Sequence, residues 1–590
     1  MLPQQKTDDG LRAVVPVRRI WCIDFEFQAG GGERPRPICM VAREVVTGQV
    51  IRLWQDELRT LTRPPFATGP DVLVVAYMAA AEIGCFLELG WNPPEKILDL
   101  FVEHRVETNG RYLPMGNGML GALAVRGRPH IEVGHKEKMR SLILDQTTWN
   151  DAERKAILDY CESDVDGLVV LLESMAASID WPRALFRGRY MSAVARMERS
   201  GVPVDRTLYR TFVEQWPEIR GRLVEEVDRD YAVYDGISFR LSRFEALLKT
   251  RGMSWPRLPS GALDLKDDTF KEQCRLYPQL GPLHELRQSL SKLRKSDIQI
   301  GLDNRARTSL RPFRSITSRN QPSASEFVFG PSKWLRGIIK PEDGYGIAYI
   351  DFVSQEIGIA AGLSGDPRLA EAYAGGDLYM GFAKQSGLAP VDATKATHPV
   401  IRERCKTVVL GLNYGMGAEG MAHRAGISVA EAREMIQLHK QLYRRFWEYS
   451  STVVDSAMIS NRLSTVFGWQ RWVRATDKPT SLMNFPMQAN GAEMMRVAAI
   501  AATEAGINVC APIHDAFLIT APLWRLDDDV RHMCEIMSKA GSYVTGGLPI
   551  RAEARVIRYP DRYMDERGIS MWNRVVRLVG RADAIYRVNT

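Results

Sequence analysis

Apolar and polar positions divide the chain into blocks. Residues 17–185 open on the strand-like pattern RRIWCIDFEFQ and close on the helical pattern NDAERKAILDYCESDVDGLVVLLESM. From about 186 to 300 the pattern is mostly helical and charged, apart from a loop rich in proline, glycine and serine at 255–270. A strand is predicted at Tyr345–Phe352, followed by helices to about 460 and a mixed region holding INVCAPIHDAFLIT. These blocks predict a multidomain chain of α/β and α+β type.

The strand WCIDFEF carries two carboxylates on one side. Side chains alternate along a strand, so the apolar positions from Trp21 to Phe27 face a core while Asp24 and Glu26 share the opposite, exposed face. Paired carboxylates suit a divalent metal ion. An ordinary solvated strand has the same pattern, so this motif alone leaves both interpretations open.

Other acidic residues occupy helical patterns nearby. Tyr160 and Asp164 are four apart on a helix whose start is marked by Asn150 and Glu153, so they share a face. Glu82 lies in the mostly apolar, helix-like run AYMAAAEIGCFLELGW, either as a ligand or near a helix end. Four carboxylates and a tyrosine could hold two metal ions and orient a water for phosphodiester hydrolysis.

A second pattern lies near the middle of the chain. Arg402, Lys406, Leu410 and Tyr414 recur every fourth residue and therefore lie almost in register on one helical face. The series presents two cations, an apolar side chain and an aromatic ring, which matches the phosphates, base and template partner of a nucleoside triphosphate. The helix is predicted to start at Thr397-His398-Pro399 and to end at Gly415 and Gly417.

Acidic residues flank that helix in sequence. Asp351 ends the predicted strand, and Glu356 follows where the chain turns helical. His514 and Asp515 interrupt two apolar runs, as the tip of a hairpin would. Each motif alone is common in proteins, but their order points to a nucleotide-polymerising site.

Composition agrees with a large globular enzyme. The 590 residues allow roughly four domains. With 45% hydrophobic and 25% charged residues, disorder is not expected, and the net charge of +7 permits a polyanionic partner. Eight scattered cysteines disfavour a zinc site or disulfide framework. No leader pattern and no run of about 18 apolar residues is present, so a chain in a reducing cytoplasm, without a membrane, is expected.

The first group of motifs resembles the exonuclease motifs of DEDDy-type 3′–5′ proofreading nucleases. The matching residues are Asp24-x-Glu26, Glu82 and Tyr160-x-x-x-Asp164. The resemblance implies a ribonuclease H-like domain in which the four carboxylates bind two Mg²⁺ ions, with Mn²⁺ as a substitute. The chain departs from the family at Met78 and Glu82, where an Asn and an Asp are usual.

The second group resembles motifs A, B and C of family A DNA polymerases, and the resemblance extends over about 15–575. Further matches are RSGVPVD (199–205), TSRNQP (317–322) and NFPMQANGAEM (484–494). Departures are Leu410 where Phe or Tyr is usual, Ala516 where Glu is usual, and Thr480 where bacterial relatives have Arg. The family implies a right-hand polymerase. Because the chain opens almost directly on the exonuclease, a phage-type replicase of phage or plasmid DNA is expected.

The resemblance also assigns roles by position. Asp351 and Asp515 would bind two Mg²⁺ ions, and Lys406 would protonate the leaving group. The residues expected at the incoming nucleotide are Gln355, Glu356, Tyr379, Arg402, Lys406, Leu410 and Tyr414. Glu356 would be the gate that excludes a ribose 2′-hydroxyl. The residues expected at the primer-template are Arg319, Asn484, Gln488, His514 and Gly415.

The implied domain order runs along the chain. The exonuclease would occupy 1–185, the thumb and linking helices 186–310, the first part of the palm 311–370, the fingers 371–475, and the second part of the palm with the C-terminal segment 476–590. The expected partners are primer-template DNA and deoxynucleoside triphosphates, with a monomeric protein and a processivity partner that the sequence does not identify.

Two other functions remain open at this point. A single-subunit RNA polymerase would share the palm, although Glu356 and the exonuclease motifs argue against it. A catalytically silent nucleic-acid-binding protein is disfavoured by the intact Asp351, Asp515, Lys406 and Arg402. Primer extension with deoxy- and ribonucleotides in parallel separates all three.

Overall fold

The computed structural model describes residues 17–128, 133–293, 297–413 and 415–585. Two larger sheets, each covered by helices, dominate this part of the chain. The first belongs to the N-terminal third and the second to the C-terminal half. Tyr414 lies outside the described residues.

The first sheet has the strand order β3-β2-β1-β4-β5. Its strands are β1 Arg19–Gln28, β2 Arg36–Glu44, β3 Val50–Trp54, β4 Val72–Ala76 and β5 Lys96–Asp99. β1, β2 and β3 are antiparallel, whereas β4 and β5 run parallel to β1. The helices of this region are Gln55–Leu58, Ala80–Glu88, Leu100–Thr108, Met119–Val125, Val133–Asp145 and Asp151–Met175.

Both faces of β1 are buried over its first half, which corrects the expectation of one exposed face. Trp21 and Ile23 pack into one core, while Ile20 and Cys22 pack into a second core on the other side. The cause is the helix Asp151–Met175, which lies across the face that the sequence pattern left open. The two carboxylates of β1 therefore lie at the half-buried end of this strand.

The chain continues through a helical region that the alternating charges predicted. Its helices are Trp181–Ser200, Arg206–Glu214, Trp216–Asp228, Leu241–Thr250, Asp267–Leu276 and Gly281–Leu293. Short strands accompany them: β6 Val202–Pro203, β7 Tyr234–Asp235, β8 Ser238–Phe239 and β9 Arg305–Ala306. The loop predicted at 255–270 ends early, because Asp267 and Asp268 begin a helix whose positive N-terminal end favours acidic side chains.

The second sheet has the order β13-β14-β10-β15, with every pair antiparallel. Its strands are β10 Tyr345–Phe352, β13 Val509–Ile513, β14 Ala516–Pro522 and β15 Ala552–Arg558, and a separate hairpin joins β11 Arg462–Ser464 to β12 Gln470–Trp472. The predicted strand Tyr345–Phe352 is confirmed to the residue.

Helices cover the second sheet and extend from it. They are Gln355–Ser364, Pro367–Ala374, Leu378–Gln385, Pro399–Asn413, Ala418–Ala425, Val429–Leu442, Arg444–Ser460, Pro479–Glu504, Leu526–Thr545 and Ile569–Leu578. Short 3₁₀ turns occur at Pro278–Leu280, Lys333–Ile338, Glu566–Gly568 and Ala582–Ala584. Among the described residues, no helix combines the length and apolarity that crossing a bilayer requires.

The helix Trp181–Ser200 connects the two sheets. It packs against β5 on one side and against the helix Pro479–Glu504 and β13 on the other. Gly188 allows the closest approach, since a Cβ there would lie 1.9 Å from the backbone oxygen of Ile97. One residue earlier, the Arg187 guanidinium forms two hydrogen bonds of 2.7 and 2.6 Å with the Glu103 carboxylate. Both side chains of this ion pair are buried.

The Arg187–Glu103 pair generates a stability prediction. Glu103→Ala leaves a buried guanidinium without its counter-charge, so we expect the free energy of unfolding to fall by about 3–5 kcal/mol. Urea denaturation of the full chain measures this loss. The matched control is Glu504→Ala, which breaks the exposed Arg189–Glu504 pair on the same helix and should cost about 0–1 kcal/mol. Equal losses in free energy of unfolding in the two variants would contradict a larger stabilising contribution from the buried pair.

Candidate active sites

The first acidic centre lies where β1 meets the helix Asp151–Met175. Asp24, Glu26 and Asp164 each offer a carboxylate oxygen, and these oxygens lie within 4.8 Å of one another. The helix that supplies Asp164 begins as predicted: Asn150 accepts a hydrogen bond from the Glu153 backbone at 3.0 Å, and the Glu153 side chain accepts one from Asn150. Strand alternation and helical spacing thus bring the three carboxylates together.

Tyr160 completes the helical part of this centre. Its hydroxyl hydrogen-bonds the Asp164 carboxylate, and both side chains are buried. Cys161, on the same turn, donates its thiol to Asp24 at 3.3 Å. The Tyr160–Asp164 pairing that the four-residue spacing predicted is present.

Glu82 lies beside this group without belonging to it. It is 4% exposed in the helix Ala80–Glu88, and the charges of Asp24 and Glu26 contribute to the rise of its pKa. The three-carboxylate group within 4.8 Å does not include it. Within the described residues, Glu82 Oε2 and Asp164 Oδ1 are buried without a hydrogen-bond partner. Oxygen donors with free lone pairs suit a hard cation such as Mg²⁺, so the donor set fits the expected metal.

Burial and like charge set the electrostatics of the first centre. Burial raises the pKa of Asp24 to about 8, and the Asp164 carboxylate contributes to the rise. The same two causes raise the pKa of Glu26, with Asp24 as its nearest like charge. Burial is also the main cause of the raised pKa of Glu82. Without a cation, burial and like charge therefore favour the protonated form of each of these carboxyl groups.

Asp99 supports this centre and was missed by the sequence reasoning. It caps the helix Leu100–Thr108, and its carboxylate also accepts hydrogen bonds from the Met78 and Ala79 backbones at 3.1 and 2.8 Å. Met78 has a φ of +65°, a strained conformation for a side chain of this kind. Asp99 thus holds the turn that leads into the helix of Glu82. A helix cap is visible in sequence, but the distant turn that it also binds is not.

Lys136 is a second residue that the sequence reasoning missed. It lies on the helix Val133–Asp145, and its Nζ is 3.9 Å from Asp164 Oδ2. Its charge acts on Asp24 and Glu26 as well, lowering the pKa of both. A lone lysine on a charged helix carries no sequence signal for such a place.

The second acidic centre lies at the end of β10. Asp351 is the penultimate residue of that strand. Asp515 occupies the predicted hairpin tip between β13 and β14, after His514 with a φ of +54°. The Phe352 backbone donates to the Asp515 carbonyl at 3.1 Å, which fixes the two strand ends together. Burial raises the pKa of both carboxyls, and for Asp351 the Asp515 charge adds to the rise.

A third carboxylate of this centre comes from β15. Glu553 pairs directly with Asp351 in the antiparallel register, and Ala516 pairs with Asp351 on its other side. The three side chains therefore lie in one row on the same face of the sheet. Glu553 also contributes to the raised pKa of Asp351. The segment PIRAEARVIR gave no sequence signal for this position.

The start of the helix Gln355–Ser364 faces the second centre. Glu356 forms an ion pair with Arg319, at 3.1 Å between Nη2 and Oε1. Gln355 is buried and directs its amide toward the Gly491 carbonyl at 3.4 Å. The predicted gate residue and a predicted primer-template residue are thus in direct contact, whereas Gln355 faces the protein interior.

The helix Pro399–Asn413 starts at the predicted proline and ends two residues before the break that was predicted at Gly415. Arg402 Nε pairs with Asp377 Oδ2 at 2.5 Å, and the Arg402 guanidinium lies 5.3 Å from the ring centre of Tyr379. Lys406 is 41% exposed and 3.9 Å from Glu403. The two predicted phosphate-binding cations therefore differ, because Arg402 is held by a carboxylate and Lys406 is nearly free.

The remaining predicted residues lie around the same region. Leu410 is half-buried against the main core, and Gly415 has a φ of +68°, with a Cβ that would lie 2.4 Å from Thr480. Arg319 and His514 line one cavity of about 400 Å³. Asn484 and Gln488 are half-buried on the helix Pro479–Glu504, four apart and on one face, outside that cavity lining.

A profile of DNA polymerase family A matches residues 330–558, the segment that holds the second acidic centre. This part of the chain is similar to that family. The family resemblance of the sequence is confirmed to this extent. The first acidic centre lies outside the matched residues, so its assignment as an exonuclease stays a prediction.

Relatives and a solved structure agree with the family. DNA polymerase I of Chloroflexus aurantiacus is 25% identical over 372 residues, which are 58% of this chain and 39% of the relative. The DNA polymerase of Mycobacterium phage D29 is 27% identical over 260 residues, 42% of each chain. The matched part of the chain thus spans about two fifths of the length of these relatives.

The solved structure is the POL domain of Pol1 from M. smegmatis in complex with DNA primer-template and dNTP. It superposes with a TM-score of 0.68 over 94% of this chain and 98% of that chain, at 17% sequence identity. At this identity the likeness shows the fold alone, which is the mixed α/β fold of a family A polymerase domain.

The pKa of Asp24 generates a pH prediction for the metal-free protein. The native carboxyl keeps its proton up to about pH 8, whereas an unfolded chain loses it near 3.8. The native state then binds more protons, so the free energy of unfolding should fall as pH rises from about 4 to about 8 and level off above. Denaturant titration with a chelator at several pH values measures this slope. Asp24→Asn should reduce this slope, whereas the exposed Asp268→Asn should not. A slope unchanged in Asp24→Asn would refute the assignment.

Proposed function

We propose that this chain is a template-directed DNA polymerase that adds deoxynucleotides to a primer 3′ end and also removes nucleotides from 3′ ends. The observation that carries the first activity is the placement of Asp351 and Asp515 at adjoining strand ends, close enough for the Asp515 charge to act on Asp351, within the segment that matches family A. The second activity is carried by the 4.8 Å group of Asp24, Glu26 and Asp164 beside Tyr160.

Positioning and charge drive the polymerase chemistry. Mg²⁺ ions held by Asp351 and Asp515 would lower the pKa of the primer hydroxyl and neutralise the triphosphate. Both carboxyls are partly desolvated and repel each other, so they favour binding a cation over remaining charged without one. Glu553 lies beside Asp351 on the neighbouring strand β15 and adds a third carboxylate to this centre. Ala516, on the other side of Asp351, has no carboxylate to offer.

The helix Pro399–Asn413 would bind the triphosphate. Lys406 is exposed and can donate to a phosphate oxygen or to the leaving group. Arg402 is paired with Asp377, so a phosphate would replace that carboxylate. Tyr379 lies against the Arg402 guanidinium, so it would lie beside the phosphate that replaces the Asp377 carboxylate. Leu410 would pack on the base, and Tyr414 and Gly415 would lie beside the template base.

The first acidic centre would perform the 3′–5′ hydrolysis as a ribonuclease H-like exonuclease. Support comes from the strand order β3-β2-β1-β4-β5 with an acidic strand in the centre. Two Mg²⁺ ions, replaceable by Mn²⁺, would activate a water and stabilise the departing oxygen. Asp24, Glu26 and Asp164 would hold these ions, with Glu82 reaching them from a second helix. The Tyr160 hydroxyl, fixed by Asp164, would orient the attacking water.

Further assignments follow from the same proposal. The domains are 1–185 exonuclease, 186–310 thumb and linking helices, 311–370 and 476–590 palm, and 371–475 fingers. Primer-template DNA would bind along Arg319, Asn484, Gln488 and His514, and a phage-type or plasmid replicase acting as a cytoplasmic monomer fits best. The match to the polymerase of phage D29 favours the phage type. A single-subunit RNA polymerase is the alternative, which the gate experiment below separates.

The two activities should separate by mutation. Asp351→Asn or Asp515→Asn removes a charge from the second centre, so primer extension should be lost while hydrolysis of single-stranded 3′ ends persists. Asp24→Ala with Glu26→Ala should do the reverse. Gel assays of 5′-labelled primers, with and without template and deoxynucleotides, measure both rates. Extension by Asp515→Asn at the wild-type rate would refute the polymerase centre, and hydrolysis unaffected in the double variant would refute the exonuclease.

Sugar selection tests the Arg319–Glu356 pair. Glu356→Ala removes the carboxylate that would crowd a 2′-hydroxyl, so ribonucleotide use should rise relative to deoxyribonucleotide use in single-turnover extension. A matched control is Glu371→Ala, an exposed carboxylate on the neighbouring helix Pro367–Ala374. If the ratio of ribonucleotide to deoxyribonucleotide use is the same in Glu356→Ala and Glu371→Ala, Glu356 does not act as the gate. Ribonucleotide extension by the wild type as fast as deoxyribonucleotide extension would favour the RNA polymerase instead.

A further inference from the structure

Lys136 is the one cation in the described residues with an ion-pair contact to the first acidic centre. Its Nζ lies 3.9 Å from Asp164 Oδ2, which is longer than a hydrogen bond, and its side chain is 42% exposed. Asp164 is its only ion-pair partner in that part of the chain. The ammonium therefore keeps donors free for another acceptor at the mouth of the centre.

The position of Lys136 is built into the fold. Gln28, at the end of β1, donates its amide to the backbone oxygens of Ile143 and Gln146 at 2.5 and 2.6 Å. These bonds fasten the far end of the helix Val133–Asp145 to the strand that carries Asp24 and Glu26. On that helix Met139 and Ile143 are buried in the core, and they follow Lys136 at three and seven residues, on the same face. The lysine is thus directed toward the sheet.

Charge indicates what the free donors would bind. Two divalent ions balance the four carboxylates of Asp24, Glu26, Glu82 and Asp164, and Lys136 adds one further positive charge. A phosphodiester carries one negative charge and gains another as it is attacked. A fixed cation beside the metal ligands therefore complements the reacting phosphate in a site shielded from water.

We propose that Lys136 is a catalytic residue of the exonuclease, donating from its ammonium to a non-bridging oxygen of the scissile phosphate. The role rests on the proposed exonuclease function. In the reaction a water oxygen forms the new bond to phosphorus, and the bond from phosphorus to O3′ of the penultimate nucleotide breaks, so the terminal nucleotide leaves as a 5′-monophosphate. The proton of that water leaves to solvent or base, and the departing 3′-oxygen takes up a proton. Lys136 keeps its own protons throughout and stabilises the charge on phosphorus oxygens.

A lysine that competes with the metal ion would affect the reaction differently from a lysine that binds phosphate. A lysine that merely competed with a divalent ion for Asp164 would weaken metal binding, and its removal would raise hydrolysis at low metal concentration. A phosphate-binding lysine leaves metal affinity nearly unchanged and loses both substrate binding and rate when it is removed. Metal affinity and substrate affinity therefore separate the two roles.

The test uses full-length variants Lys136→Gln and Lys136→Arg with Lys138→Gln as the matched control. Lys138 carries the same charge on the same helix and is exposed. Hydrolysis of a single-stranded oligonucleotide in Mg²⁺ should fall on the order of 10²-fold in Lys136→Gln, as for loss of one charge-stabilising donor. Lys136→Arg should keep most of the rate, because it preserves the cation. Lys138→Gln should remain within about twofold of wild type.

Two readouts do not depend on turnover. Anisotropy of a labelled oligonucleotide in Ca²⁺, which does not support hydrolysis in such centres, should show weaker 3′-end binding in Lys136→Gln only. Mn²⁺ affinity from electron paramagnetic resonance should be the same in wild type and Lys136→Gln. A third readout does depend on turnover: sulfur in place of the contacted phosphate oxygen should slow hydrolysis by the wild type more than hydrolysis by Lys136→Gln.

The outcomes are distinct. If the wild type is active and the two variants Lys136→Gln and Lys138→Gln show the same hydrolysis rate and the same 3′-end binding, the proposed role of Lys136 is overturned. The exonuclease function would remain. Tighter Mn²⁺ binding with faster hydrolysis in Lys136→Gln would also overturn it, in favour of the competing cation. Absence of hydrolysis from the wild type, unchanged by Asp24→Ala with Glu26→Ala, would refute the exonuclease function itself and the lysine role with it.

Discussion

The packing of one helix between two sheets is the contact on which the placement of both acidic centres depends. The helix Trp181–Ser200 lies against β5 of the first sheet and against the helix Pro479–Glu504 of the second. A glycine at its closest crossing lets the backbones touch, and a buried ion pair one residue earlier fixes its rotation. Because a single core joins these elements, the two centres belong to one packed body.

The two centres solve the problem of like charge differently. The first buries its carboxylates where β1 meets two helices. Within the described part of the chain, Glu82 Oε2 and Asp164 Oδ1 have no hydrogen-bond partner, so repulsion and desolvation favour protons or a cation. The second places Asp351 and Asp515 near two strand ends, which a backbone hydrogen bond joins. Its third carboxylate, Glu553, lies on the neighbouring strand β15. The first centre is therefore the more deeply buried of the two, and the second lies at a more open edge of its sheet.

Much of the local structure could be predicted from sequence. Strand Tyr345–Phe352, the cap at Asn150 and the helix start at Pro399 follow from periodicity and capping chemistry, which act over a few residues. The grouping of Asp24, Glu26 and Asp164 also follows, because strand and helix spacing fix the faces of each element.

The remaining parts depend on tertiary register. Glu553 lies opposite Asp351 only because β15 pairs with β10 in one register, and Lys136 reaches Asp164 only because Gln28 fastens its helix. Neither residue stands in a pattern of its own. The second buried face of β1 was missed for a related reason, since the helix that covers it comes more than a hundred residues later.

The Arg402–Asp377 pair has a consequence for how the protein would respond to ionic strength. A triphosphate that takes over Arg402 exchanges one anion for another, so the number of charges neutralised at that guanidinium stays the same. Such an exchange releases few counter-ions. Binding of a polyanionic strand to unpaired cations does release them and weakens steeply with salt. Added salt should therefore loosen the template well before it loosens the nucleotide, so that processivity fails first and nucleotide affinity later.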